Sequence, residues 1–219
     1  MTTEKKDFLF RFVNPDIRKK IKLDEEALYS TTDQVTADKI TRDILNYIPR
    51  SSTITDATAC IGGSAYSFAQ SFSNVIAVEN NKERYDLLKQ NINVLLNTKT
   101  EIKSIFYNTF NSMNNVECRY GDALVECQKQ FQDAIFIDPP WGGPEYKTLD
   151  KVQLYLSGLP LHEVCKRLYK YTDYIILKVP VNFDEMQFII ETQSYLELQR
   201  KNSQLRKMNL LIFRTIQTN

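Results

Sequence analysis

The chain has 219 residues, 42% hydrophobic and 25% charged, which suits one well-cored domain with a small appendage and excludes disordered and fibrous classes. No apolar run reaches membrane-span length, and the first 22 residues lack the apolar centre of a signal peptide; a soluble intracellular protein, cytoplasmic or nuclear, is expected. The net charge is +1, yet residues 1–22 hold seven basic and three acidic groups and residues 200–219 five basic and none acidic, a distribution that fits a small anionic partner met by both ends better than a protein wrapping long nucleic acid, while on charge alone solvated ends with no partner fit equally well.

The stretch "STTDQVTADKITRDILNYI" repeats apolar residues at helical spacing after the capping candidates Thr31, Thr32 and Asp33, so a helix is expected ahead of the main sheet. An alternation follows. Strands are expected at Thr53–Asp56, Val75–Glu79, Val116–Tyr120, Ala134–Asp138, Tyr174–Val179, Leu196–Gln199 and Asn209–Arg214. Helices are expected at Gly63–Phe72, Lys82–Leu96, Ala123–Gln130, Leu161–Tyr169 and Asp184–Thr192, with a short helix and a loop in Thr98–Asn115. Strands separated by helices call for right-handed crossovers and a mostly parallel sheet. The closing pair has no helix between its members, so the last strand should be antiparallel. Cys60, Cys118, Cys127 and Cys165 form no Cys-x-x-Cys pair and His162 is the one histidine, so reduced thiols and no metal site are expected.

Acidic residues end four successive strands. Asp56 precedes "ACIGGSA", whose Gly62 and Gly63 let a backbone approach a ligand at a helix start. Glu79 ends the second strand, where a carboxylate can take two ribose hydroxyls. Asp122 follows the third and could bind an adenine amine. Each acid alone is equally well explained as a helix cap; the series points to an adenosine-containing cofactor. A dinucleotide would want Gly-x-Gly-x-x-Gly, which is absent. S-adenosylmethionine is the better occupant, its ammonium suiting Asp56.

The fourth acid opens "DPPWGGPEY". Asp138 sits at the carboxyl end of a strand apolar at every position, the edge where open α/β sheets bind ligands. Pro139 and Pro140 end the strand with a stiff extended exit, so Trp141 should be presented rather than buried.

That block, with the weaker "DATACIGGSA", "LDEEALYSTT" and "NSQLRK", resembles the trimethylguanosine synthases, the RNA cap guanine-N2 methyltransferases. The resemblance implies a Rossmann-like S-adenosylmethionine-dependent methyltransferase core at 51–219, with a seven-stranded, mostly parallel sheet, and a small helical extension at 1–50 that contributes to the site. It implies a monomer, without metal, that methylates the N2 amine of a 7-methylguanosine cap once or twice, on capped RNA or 7-methyl-GTP or -GDP. Asp138, Pro139 and Trp141 would be catalytic. Asp56, Gly62, Gly63, Glu79, Asp122 and Asp138 would bind the cofactor; Trp141, Tyr146, Asn182, Arg206, Lys207, Ser30 and Thr32 would bind the substrate. A 7-methylated guanine is cationic, and indole is the best ring face for a cation. Four positions depart from the family pattern: Cys60 stands for a glycine, Leu28 for a tryptophan and Val181 for an arginine, and Asp138 takes a place that can be serine.

Two other readings compete. Asp-Pro-Pro-Trp also marks N6-adenine methyltransferases, although the RNA enzymes and many DNA ones place it before the cofactor loop, whereas here Asp138 follows Asp56. A non-catalytic cap-binding subunit on the same fold would be expected to lose Asp56, Glu79 or the glycine pair. Abundant Ile, Asn and Lys fit an AT-rich genome, such as that of a large DNA virus or a protist.

Overall fold

The structure, a computed structural model, describes residues 2–97, 115–205 and 207–217. The helix and loop expected before Asn115 and the candidate Arg206 lie outside the described residues. The chain divides into two compact units, Met1–Gly121 and Asp122–Asn219.

The first unit begins with short helices α1 (Thr2–Leu9), α2 (Pro15–Arg18) and α3 (Ala27–Ser30), then α4 (Gln34–Ile44). Asp33 caps α4, accepting from the Thr36 amide at 3.3 Å, the role that one of the three capping candidates had to fill. Ala37, Ile40 and Ile44 form its buried stripe, and α4 packs on α5 (Gly63–Ala69). Around these run β1 (Thr53–Asp56), β2 (Asn74–Glu79), α6 (Lys82–Asn97) and β3 (Val116–Tyr120). The three strands are parallel, in the order β3-β2-β1, with Asp56 opposite Ala77 and Glu79 opposite Tyr120. Ile54, Ile76, Val78, Phe68, Phe72 and Leu88 fill the core.

The second unit holds α7 (Ala123–Cys127), β4 (Gln132–Ile137), a hairpin of β5 (Tyr155–Leu156) and β6 (Leu159–Pro160), α8 (Leu161–Leu168), β7 (Thr172–Pro180), α9 (Glu185–Thr192), β8 (Leu196–Asn202) and β9 (Met208–Thr215). β4 and β7 are parallel; β9 runs antiparallel to both β7 and β8, the direction expected of the last strand. The hairpin escapes the periodicity argument because each arm has only two residues. Its turn, Ser157-Gly158 with φ of 54° and 75°, is the Ser-Gly signal that could have revealed it. α7 stops at Cys127, short of the expected Gln130; Gln132 instead starts β4, its side chain donating to the Cys127, Gln130 and Tyr171 carbonyls. The strand order β3-β2-β1-β4-β7-β9-β8 makes the seven-stranded, mostly parallel sheet that the alternation requires. None of the helices among the described residues is long and apolar enough to cross a membrane.

Candidate active site

β1 delivers Asp56, buried, to its carboxyl end, where Oδ1 accepts from the Thr58 amide at 3.3 Å. The chain then turns through Cys60 (φ 52°) and Gly62 (φ 99°) into α5. Gly62 adopts that left-handed backbone freely; a side chain at Cys60 costs about 1 kcal/mol. This gives the glycine-to-cysteine departure a physical meaning. The Cys60 thiol lies 3.6 Å from the Thr31 hydroxyl, and burial pushes its pKa up to about 12, so it is no nucleophile at neutral pH.

Gly63 has a different reason to be glycine. A Cβ there would meet the Thr32 carbonyl oxygen at 2.6 Å and the Thr31 methyl at 2.8 Å. The segment 22–32 therefore seats directly on the turn, with Thr32 buried and Ser30 exposed. Asn91 of α6 holds the same segment: it accepts from the Lys22 amide at 2.8 Å and donates to the Lys22 and Ile61 carbonyls.

β2 delivers Glu79. Burial raises its pKa; the Asn81 amide, donating to Oε1 at 2.8 Å, and the Arg84 guanidinium, 3.7 Å away, pull it back. Arg84, itself almost fully buried, also donates to Asp24 at 3.1 Å and Glu26 at 2.5 Å. The sequence reading missed Arg84, because its partners lie about sixty positions away. A buried carboxylate at one strand end and a glycine turn at the next suit a ribose and a backbone-hugging ligand, so the residues of this unit fit an adenosine cofactor.

In the second unit, Asp122 takes the cap role left open above: Oδ1 accepts from the Leu124 amide at 2.9 Å and the Val125 amide at 3.3 Å. Asp138 follows β4 directly, and the register Ile137 opposite Leu177 sets it beside Lys178 of β7, at 2.5 Å. Lys178 is 5% exposed. A lysine inside the otherwise apolar "YIILKV" was the available signal, and it went unread. Burial raises the Asp138 pKa, and the Lys178 ammonium beside it pulls the other way.

Pro139 is buried and Pro140 exposed. Trp141 is half-buried, not freely presented as the proline exit suggested, because neighbours take up part of its surface: Lys178 Nζ lies 5.4 Å from the ring centroid and Tyr146 meets the indole edge-on at 5.2 Å. Its indole nitrogen is buried without a well-aligned acceptor, though close enough to Asp138 to favour the charged carboxylate. Gly142 and Gly143 take φ of 86° and 76° with open space where a Cβ would sit, so they serve the turn rather than a close approach. Asn182 donates to the Tyr146 carbonyl at 2.8 Å and the Leu149 carbonyl at 2.7 Å, fastening the loop that carries Tyr146. Lys207 is exposed in the connection from β8 to β9.

The family model of RNA cap guanine-N2 methyltransferases matches residues 51–211. The chain belongs to that family. Among relatives of this cap guanine-N2 methyltransferase family member, the uncharacterised protein L320 of Acanthamoeba polyphaga mimivirus is 29% identical over 80% of the chain and 73% of its own length. The trimethylguanosine synthases of Schizosaccharomyces pombe and Saccharomyces cerevisiae are each 25% identical, over 74% and 86% of the chain. The match spans 64% and 59% of the lengths of those two synthases. In structure, a protein described as a methyltransferase from Porphyromonas gingivalis W83 gives a TM-score of 0.62 at 18% identity, over 92% of the chain and 49% of its own. One described as an RNA methyltransferase from Pyrococcus horikoshii gives 0.58 at 16%, over 90% and 93%. Family and fold are those of S-adenosylmethionine-dependent methyltransferases. Among the described residues, no group of three or more His, Cys, Asp or Glu could hold a metal ion.

Proposed function

We propose that this chain methylates the exocyclic N2 amine of a 7-methylguanosine cap. The observation that carries the reading is the Asp138–Trp141 turn at the end of β4, with Lys178 against one part of the indole and Tyr146 edge-on to it, in a chain whose family model is that of cap guanine-N2 methyltransferases. Trp141 receives the cationic base on the ring surface that Lys178 does not cover. Cation–π attraction there is worth about 0.5 to 2 kcal/mol, and it is absent for an unmethylated guanine.

Asp56, the turn at Gly62 and Gly63, and Glu79 hold the cofactor: Asp56 its ammonium and Glu79 its ribose. Asp122 adds at most one carboxylate oxygen toward the adenine, since Oδ1 caps α7. S-adenosylmethionine supplies an electrophilic methyl group. The guanine N2 lone pair is delocalised into its ring, so the protein's contribution is positioning. Asp138 and the Pro139 carbonyl accept hydrogen bonds from the two N2 protons and direct the lone pair outward. Asp138 would take up the proton that N2 gives up on accepting the methyl group. The Lys178 ammonium beside it favours the charged carboxylate against the effect of burial.

Tyr146, Lys207 and Arg206 bind the cap phosphates. Asn182 acts through the Tyr146 loop. Ser30 and Thr32, in the extension at 1–50 ahead of the core at 51–219, border the substrate. Capped RNA is the partner of a monomer working in the cytoplasm or nucleus.

The test is incubation with labelled S-adenosylmethionine and GTP, 7-methyl-GTP or adenosine-containing RNA, with the product identified by mass spectrometry. N2-methylated 7-methylguanosine, with GTP inert, is the expected product. Equal turnover of GTP, or N6-methyladenosine, overturns the reading.

A further inference from the structure

The first 22 residues carry a surface that the site above does not use. α1 and the turn after it send Leu9, Phe10 and Val13 into the core, yet leave Phe8 38% and Phe12 59% exposed. The Phe8 ring is flanked by cations on both sides in sequence, Lys5 Nζ at 5.5 Å and the Arg11 guanidinium at 5.7 Å from its centroid. Lys6 and Lys22 lie close enough for Lys22, after burial, to lower the Lys6 pKa. Among the described residues, none of Lys5, Lys6, Arg11 and Lys22 makes an ion pair. The nearby acids are engaged elsewhere, Asp7 with Arg18 at 2.8 Å and Asp16 with Lys19 at 3.0 Å.

Singly, an exposed ring or a solvated cation is an ordinary surface feature. Interleaved, they match one kind of occupant. A single-stranded polynucleotide offers phosphates to the cations and base faces to the rings, a combination worth more than either part. A duplex offers the phosphates but keeps its base faces stacked away.

We infer that Lys5, Lys6, Phe8, Arg11, Phe12 and Lys22 form a docking surface for single-stranded RNA. The inference rests on the proposed substrate being a capped RNA. It adds that the enzyme reads the RNA chain as well as the cap, without base specificity, since every base has a stacking face.

The test is fluorescence anisotropy on the full chain with labelled oligouridine of about a dozen nucleotides, capped and uncapped, beside kinetics on 7-methyl-GTP. Phe8→Ala/Phe12→Ala should weaken binding of both oligonucleotides by roughly tenfold or more and leave 7-methyl-GTP turnover and the melting temperature unchanged. Arg11→Gln/Lys22→Gln should lower the slope of log affinity against log salt by about 1.4. Unchanged RNA affinity in the ring variant overturns the proposal, as does equal wild-type affinity for a duplex of the same length. So does an equal loss on 7-methyl-GTP, which would place these residues at the cap. Failure of the wild type to methylate 7-methyl-GTP would instead strike the proposed function, and the uncapped oligouridine would still report on this surface.

Discussion

Lys178 and Asp138, forty residues apart, meet as an ion pair at 2.5 Å where β7 runs beside β4. Each side chain is almost enclosed, and each is the other's ionic partner. Breaking such a pair from one side should cost about 3 to 5 kcal/mol, because a buried charge is left alone. Lys178→Met is therefore expected to be severely destabilising, and Lys178→Met/Asp138→Asn to recover most of the loss. Urea denaturation of the single and double variants measures this; additive losses would mean that the two groups do not depend on each other.

Glu79 separates stability from function. Its folded pKa is raised above the ordinary 4.5, so its contribution to stability is complete below the unfolded value and is lost as pH rises through the folded one. Glu79→Gln should flatten that part of the stability curve, from the ordinary carboxylate range upward. It should leave neutral-pH stability equal or higher, while weakening S-adenosylhomocysteine binding at least tenfold. Calorimetry on both proteins checks the two halves, and unchanged affinity would remove Glu79 from the cofactor site.

Gly63→Ala should force the Thr31–Thr32 segment off the turn, since the obstructing atom at 2.6 Å is backbone. The expected cost is about 1 to 3 kcal/mol, with weaker cofactor binding. Thermal melts with and without S-adenosylhomocysteine would show a lower melting temperature and a smaller ligand-induced rise.

At Cys60 the relevant comparison is between two replacements. Both remove the thiol, but Cys60→Ala keeps a Cβ at φ 52° and Cys60→Gly does not. The glycine variant should be the more stable by about 1 kcal/mol despite its greater unfolded-state freedom. Denaturation midpoints at equal m-values decide it.

Asn182→Ala removes both donors from the Tyr146 and Leu149 carbonyls. The loop should loosen by about 1 to 3 kcal/mol, raising KM for 7-methyl-GTP while KM for S-adenosylmethionine stays put. A matching rise in both would show that Asn182 supports the whole unit, not the Tyr146 loop.

What the chain announces on its own is its order of elements and the acids at their ends. Alternation of apolar runs with helical periods is a local property, and burial of one face enforces it residue by residue. That is why β1, β3 and the start of α6 fall where periodicity puts them, and why Asp56, Glu79 and Asp138 read as strand-end acids. Pairing between distant residues is not local. Asp138 with Lys178, Arg84 with Asp24 and Glu26, and Asn182 with the Tyr146 carbonyl exist because particular strands and segments become neighbours, and no spacing in the sequence records which. The same holds for the roles inside the site. Asp122 was open between ligand and cap until the geometry of α7 engaged Oδ1 with two amides. Trp141 looked presented until Lys178 and Tyr146 came to lie against it. Local chemistry determines what each residue can do; the tertiary contacts decide which of those capacities is in use, since a charge or donor once buried must be satisfied by whatever the fold brings to it.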